Sequence, residues 1–310
     1  MATMARAQFP DVFSSSAALA FLKQIVQSGT KRRPEWFQEV FRMESTSDPH
    51  EQYTSKANFG TFVETDEGAG VTYDEALQGF DRTMTPLQYS LGYKITKIAM
   101  DDDRKGIFTD QASDLGWGWT ESRNILAAAV FNNGFDNTFT GADGLELFST
   151  AHLHENGSTF RNELATSADF SITSFQTAMI DFRNFRDGRG KRLNLRPESI
   201  MIPPDGWHNV AEIIQSPDRP DTAERATNVF RGFFGGGVFN SILNDYLTDT
   251  DAWFLIGPKE DHGLVFLERE AFSTGNDVDF DTRTLKVAAW GRYDVDWVNN
   301  GKGVYASPGA

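Results

Sequence analysis

An α+β architecture is the expectation for this 310-residue chain, and three features of its text carry it. Apolar residues recur at helical spacing, most clearly at Ile172, Phe175, Met179 and Phe182. They alternate at period two near the end, through Leu285, Val287 and Ala289 and again through Tyr293, Val295 and Trp297. Helical stretches precede most of the strands, the order in which helices and strands segregate rather than mix. With 39% hydrophobic and 24% charged residues the chain falls among globular proteins and is long enough for two compact regions.

Taken from the start, Leu19, Leu22, Ile25 and Val26 predict a helix over Ala17 to Gln27, closed by Ser28-Gly29. Lys31, Arg32 and Arg33 follow, placed to complement the helix dipole or to meet a neighbouring acidic subunit. From Pro49 to Lys97 the pattern becomes strand and turn: Asn58-Phe-Gly-Thr-Phe62, then Asp66-Glu-Gly-Ala-Gly70, then Tyr89, Leu91, Tyr93 and Ile95 on alternate positions. A long two-stranded loop with a glycine-rich acidic tip is the expectation. A lone hairpin is marginal in water, so this one needs support, and a partner chain is a candidate.

Thr109 opens a second helix with Asp110 and Gln111 in its first turn; Ala112, Leu115, Trp119, Leu126 and Val130 mark one face, and Asn132-Asn-Gly134 stops it. At about 1.5 Å per residue it is a strut roughly 35 Å long. Its weak point is Gly116-Trp-Gly118, at about 1 kcal/mol per glycine. The third helix carries Ile172, Phe175, Met179 and Phe182 and is expected to end at Asp187-Gly-Arg-Gly190. Ser199-Ile-Met-Ile202 predicts a buried strand meeting Pro203-Pro204, and a short helix follows with Trp207, Val210 and Ile214 on one side. Residues 217–237 are polar and glycine-rich, with Phe230, Phe233 and Phe234 embedded as a contact surface. Strands return at Trp253-Phe-Leu-Ile256 and Leu264-Val-Phe-Leu267.

Other classes find little purchase. With no cysteine, thiol catalysis, thiolate metal sites and disulfides are all excluded. Residues Met1 to Asp11 do not read as a secretory signal, so the chain is expected to stay in the cell that makes it. No run approaches the roughly 18 apolar residues of a membrane span. A net charge of -15 argues against tight binding of phosphate backbones.

His152-Leu-His154-Glu155 has a metal flavour, but no third or fourth ligand is signalled, and hydrogen-bonded structural histidines are the simpler reading. Asp101-Asp-Asp103 reads as charge ahead of a helix N-terminus rather than an acid-base pair. Among 44 acidic residues a glycosidase pair would be an arbitrary choice. No nucleophile elbow, P-loop or dinucleotide fingerprint occurs, and Gly232-Phe-Phe-Gly-Gly-Gly237 reads as a permissive loop. No catalytic, cofactor-binding or metal residue is assigned.

Several phrases occur in an order that resembles the major capsid proteins of tailed bacteriophages with the Hong Kong 97-type fold, nearest the Mu-like major head subunit branch. They are Ala127-Ala-Ala-Val-Phe-Asn-Asn-Gly134, Gly141-Ala-Asp-Gly-Leu145, Leu147-Phe-Ser-Thr-Ala-His152 and Asn162-Glu-Leu164. Further on come Leu195-Arg-Pro-Glu-Ser-Ile-Met-Ile-Pro-Pro204, Tyr246-Leu-Thr-Asp-Thr-Asp-Ala-Trp-Phe-Leu255, Gly291-Arg-Tyr293 and Gly303-Val-Tyr-Ala-Ser307. Each phrase alone is weak, and their colinear order over residues 90–307 carries the resemblance.

The resemblance implies an N-terminal arm over residues 1–49 and an extended β-hairpin loop over 50–97. It implies a peripheral domain with a long spine helix over 98–195 and 258–310, and an axial domain over 196–257. It implies a non-enzymatic subunit that self-assembles into hexamers and pentamers of an icosahedral shell around double-stranded DNA. Partners would be a separate scaffolding protein, a portal and decoration proteins; the place of action would be the virion, after assembly in the bacterial cytoplasm. The acidic charge then suits a container wall that does not grip its DNA. Lys56 is not assigned to an isopeptide bond, and no autocatalytic crosslink is expected. The rival readings are an encapsulin-like nanocompartment shell and an acidic carbohydrate-active hydrolase.

Overall fold

A computed structural model describes residues 16–57, 59–103, 107–216, 228, 230 and 239–310. The first part of the chain holds α1 (Ser16–Gly29), α2 (Phe37–Val40), β1 (Arg42–Ser45), β2 (Glu51–Ala57), β3 (Leu77–Met84), β4 (Leu87–Thr96) and α3 (Lys97–Asp101). The middle holds α4 (Ile107–Asn132), β5 (His152–Leu153), β6 (Thr159–Phe160), α5 (Ile172–Arg183), β7 (Ser199–Ile202) and α6 (Trp207–Gln215). The last part is β8 (Asn240–Leu243), β9 (Trp253–Ile256), β10 (Leu264–Asp279), β11 (Thr284–Trp297) and β12 (Val304–Ser307). Expected helices and strands stand close to their sequence positions, and two partnerships differ.

The first difference concerns the alternating strand. Two sheets have four strands each, in the orders β1-β10-β11-β4 and β12-β9-β7-β8, while among the described residues β2 pairs with β3 alone. The hairpin is therefore β2 and β3 joined by residues 58–76, and β4 runs antiparallel to β11 with Tyr93 opposite Val287. The physical reason is burial. Tyr89 stacks on Tyr293 at 4.4 Å and Ile95 is buried, cover that a free hairpin arm does not supply.

The second difference concerns the glycines of the strut. Helix α1 crosses α4 so closely that a Cβ on Gly116 would stand 1.9 Å from the Val26 carbonyl oxygen, and one on Gly29 2.1 Å from that of Ser113. What reads as a weak turn is the point where two backbones touch. Leu22 and Val26 pack there against Ala112 and Leu115. Gly118 is unlike its neighbour: a Cβ there would meet only Leu91, at 3.8 Å. The basic turn after α1 is engaged on the same helix, Arg32 with Asp114 at 2.9 Å and Arg33 over the Trp117 ring at 5.7 Å.

A single aromatic core joins the two sheets. Phe131 of α4, Phe37, Phe41, Phe148, Phe266 and Tyr293 share it with Met201, Ile242 and Phe254 of the second sheet. Phe37 stacks on Phe266 at 4.4 Å, and Phe131 meets the edge of Phe254 at 5.2 Å. A second core lies between α5, α6 and the other face of β7-β9-β12, every residue of those three strands being buried.

Helix α5 begins with a capping box between Ser171 and Ser174. It ends at Arg183 with Asn184 as C-cap, ahead of the expected stop. Asp187 instead builds a separate turn, accepting from the backbone N–H groups of Arg189 and Lys191 at 2.9 Å each. Phe230 is half-buried against Phe175 at 4.9 Å, so it faces inward rather than outward. Phe233, Phe234 and the run Gly232 to Gly237 lie outside the described residues.

Candidate assembly surfaces

Among the described residues, the hairpin loop gathers five large apolar side chains without cover. Phe62 is 108% exposed and Tyr73 92%, with Phe59, Val63 and Val71 exposed beside them. Burying one such ring stabilises by about 1.5–3 kcal/mol, so a cluster held in water marks a surface that meets something else. Glu64, Asp66 and Glu67 lie between the apolar residues and make the tip acidic.

The base of this loop is tied down. The Gly60 N–H donates to Asp74 at 2.7 Å, Arg189 pairs with Asp74 at 3.0 Å and also donates to the Glu75 carbonyl, and Lys191 donates to the Phe59 carbonyl. The Gly60 N–H foremost, then the Glu75 N–H and the Arg189 charge, hold the Asp74 carboxyl below its usual range. Below the loop, Glu155 pairs with Lys302 at 2.9 Å, its side chain nearly buried. Gly79 and Gly188 make room for that carboxylate: a Cβ at either would come within 2.5 Å of the Glu155 side chain.

The root of the hairpin is a charged clamp. Arg82 of β3 donates through Nε to Asp296 at 2.6 Å and through Nη1 to the Thr140 carbonyl at 2.9 Å, with Trp297 beneath its guanidinium. Two residues along β11, Asp294 accepts from the Thr85 N–H at 2.9 Å. Burial pushes both carboxyls up, against the pull of Arg82. A cleft of about 250 Å³ lies beside them, lined by Arg82, Leu126, Val130, Phe139 and Trp297. A second cleft, about 310 Å³, lies where α1 leaves α4 and is lined by Lys31, Arg33, Glu35, Trp119, Arg123 and Phe272. Neither feature was read from the sequence; the acid pair within the apolar alternation of β11 was its faint trace.

Both histidines of the His152-Leu-His154 cluster are buried. His152 is wholly buried, with Nδ1 2.7 Å from Asp143 and Nε2 3.1 Å from the Leu147 carbonyl, and it stacks on Phe160 at 5.3 Å. Burial acts to raise the Asp143 carboxyl, but the hydrogen bond and charge of His152 outweigh it and hold the group low. His154 is buried close by, which pushes its pKa down. Among the described residues no group of His, Asp and Glu is placed to hold a metal ion. Asp101 ends α3 and, like Asp102, is exposed, while α4 begins at Ile107. Among the described residues no helix is long and apolar enough to cross a membrane.

Residues 81–307 match the family described as phage capsid protein. The chain belongs to that family. The match covers the clamp at Arg82, the strut and, except for β1, both four-stranded sheets of this capsid protein.

Three solved structures share its fold. One is a virus-like particle from Pyrococcus furiosus, 8% identical with a TM-score of 0.54, covering 92% of this chain and 97% of that one. Another is the capsid of Ralstonia phage GP4, 11% identical with a TM-score of 0.55 and 86% of each chain covered. The third is the capsid of a native GTA particle, 12% identical with a TM-score of 0.55, covering 89% of this chain and 90% of that one. No curated protein matches the sequence. At these identities the likeness establishes an α+β fold of the Hong Kong 97 type, as the order of phrases implied. Family and fold together make this a major capsid protein, a subunit of an oligomeric shell.

Proposed function

We propose that the chain is the major head subunit of a tailed phage of the Mu-like branch, building hexamers and pentamers of an icosahedral shell around double-stranded DNA. The single observation that supports this most is the loop 59–73: braced at its base, yet holding Phe62 and Tyr73 almost wholly in water. Obligate interfaces bury on the order of 2,000–5,000 Å². Covering this loop and similar apolar surface offsets the rigid-body and ordering entropy of association.

In this reading residues 1–49 are an arm, 50–97 the extended loop, 98–195 with 258–310 the peripheral domain, and 196–257 the axial domain. Strand β4 links loop to peripheral sheet, and β12 crosses back to pair with β9 at the seam between the two domains. A scaffolding protein, a portal and decoration proteins are the partners, DNA contacts are weak and without sequence preference, and the shell forms in the bacterial cytoplasm before residing in the virion. Catalysis has no part in it.

The test is to express the chain with and without the scaffolding gene beside it, then apply size exclusion and electron microscopy. Closed megadalton particles are expected, and in virions they hold nuclease-protected DNA. A persistent monomer under both conditions would sink the proposal, and particles that enclose a protein cargo instead of a genome would transfer it to a nanocompartment.

A further inference from the structure

We propose that the acidic, aromatic tip of one copy's hairpin loop, residues 59–73, seats in the basic-rimmed cleft between α1 and α4 of a second copy. This rests on the shell reading above and adds the landing place to it. Two surfaces on the same chain are complementary in charge and in shape. On the tip, Phe62 and Tyr73 are uncovered, and Glu64, Asp66 and Glu67 have no ion-pair partner among the described residues. In the cleft, about 310 Å³ of space lies beside Trp119 and Phe272, whose rings are 5.2 Å apart, with Lys31 and Arg33 exposed at the rim. Arg123 pairs with Glu35 at 3.0 Å and with Glu268 at 3.1 Å, so with Lys31 and Arg33 at the rim one positive charge is left for a visitor. That volume is at the small end of binding sites and suits one anchoring ring with flanking contacts.

Electrostatics adds the need for such a match. Every subunit carries a net charge of -15, so copies repel one another at long range, and association is favoured only where opposite charges are brought face to face. The turn from β10 to β11 is the competing visitor, since Phe280 is 92% exposed among acids. Its charge is already partly used, because Asp279 pairs with Lys286 at 3.1 Å. The loop tip keeps its acids free.

The chain has no cysteine, which makes disulfide trapping clean. Particles of the double variant Phe62→Cys with Lys31→Cys, oxidised and run on a non-reducing denaturing gel, are expected to give covalent ladders. Phe280→Cys with Lys31→Cys is expected to leave single chains. Ladders only from the Phe280 variant, a cross-link confined within single chains, or no ladder from the Phe62 variant in particles that form normally would each overturn the seat while leaving the shell reading intact. Should the unmodified chain form no particles with its scaffolding protein, both fall together. Independently, Lys31→Glu with Arg33→Glu is expected to lower particle yield about tenfold with an unchanged thermal melt, and adding Glu64→Lys with Glu67→Lys to restore most of it. Unchanged yield in the first variant, or no recovery in the second, counts against the proposal.

Discussion

The strut α4 and the hairpin loop carry similar numbers of aromatic and charged groups per turn of chain, yet they solve opposite problems. Along α4 the buried apolar side chains among the described residues pack within the same molecule: Trp119 lies edge-on to Tyr293 at 5.2 Å, and Phe131 is wholly buried among other rings. Along 59–73 the apolar side chains find none, although the backbone that carries them is anchored by Arg189 and Lys191. A loop that merely lacked a role would be polar and loosely tied. One that is apolar at its tip and pinned at its base is suited to meeting another surface, and in the proposed reading the contrast separates what stabilises the subunit from what assembles the shell.

The junction between the two regions is where the contrast breaks most sharply. Arg82→Gln leaves Asp296 buried without its cation, which is expected to destabilise the subunit by about 3 kcal/mol near neutral pH. The sign with pH follows from burial, which raises the Asp294 and Asp296 carboxyls in the folded state. A raised carboxyl favours the protonated native form, so the loss is greatest above the folded pKa and shrinks as pH falls toward the ordinary carboxylate range near about 4. Urea unfolding of the variant at both ends of that range checks it, and an equal loss at both would mean that the clamp works by shape rather than charge.

Within the strut the two glycines are expected to respond in opposite directions. Gly116→Ala should cost about 2 kcal/mol, because its methyl group meets the Val26 backbone where α1 crosses. Gly118→Ala should stabilise by up to about 1 kcal/mol, because its site is open and alanine favours the helix. Thermal melts of the two variants side by side decide whether the crossing is as close as described. The smallest effect on stability is expected in the loop: Phe62→Ser should leave the isolated subunit within about 0.5 kcal/mol of the unmodified chain. A larger loss would mean that the ring is covered within its own subunit, and the contrast between the regions would dissolve.

Much of the fold was legible because secondary structure is written in local periodicity. The stripe Ile172, Phe175, Met179 and Phe182 marks α5, and Leu285 to Trp297 marks β11. The hydrogen bonding of His152 was legible too, since a buried imidazole takes a partner, although the partner, Asp143, was not named. The clamp was illegible because Arg82 and Asp296 lie 214 residues apart, and nothing local distinguishes them from other charged residues. The loop's exposed rings were visible as letters but not as a surface, since Phe59 and Phe62 look like core residues until their surroundings are known.

By itself, then, the sequence determined where the main amphipathic helices and alternating strands lie and which face of each is apolar, because those depend on side chains only a few residues apart. Tertiary structure alone decided that β4 pairs with β11 instead of closing the hairpin. It also decided that Gly116 is a contact and not a flaw. The reason is physical: backbone hydrogen bonds are alike for every candidate partner, so the choice among partners falls to burial of whole surfaces, which only the folded chain brings together.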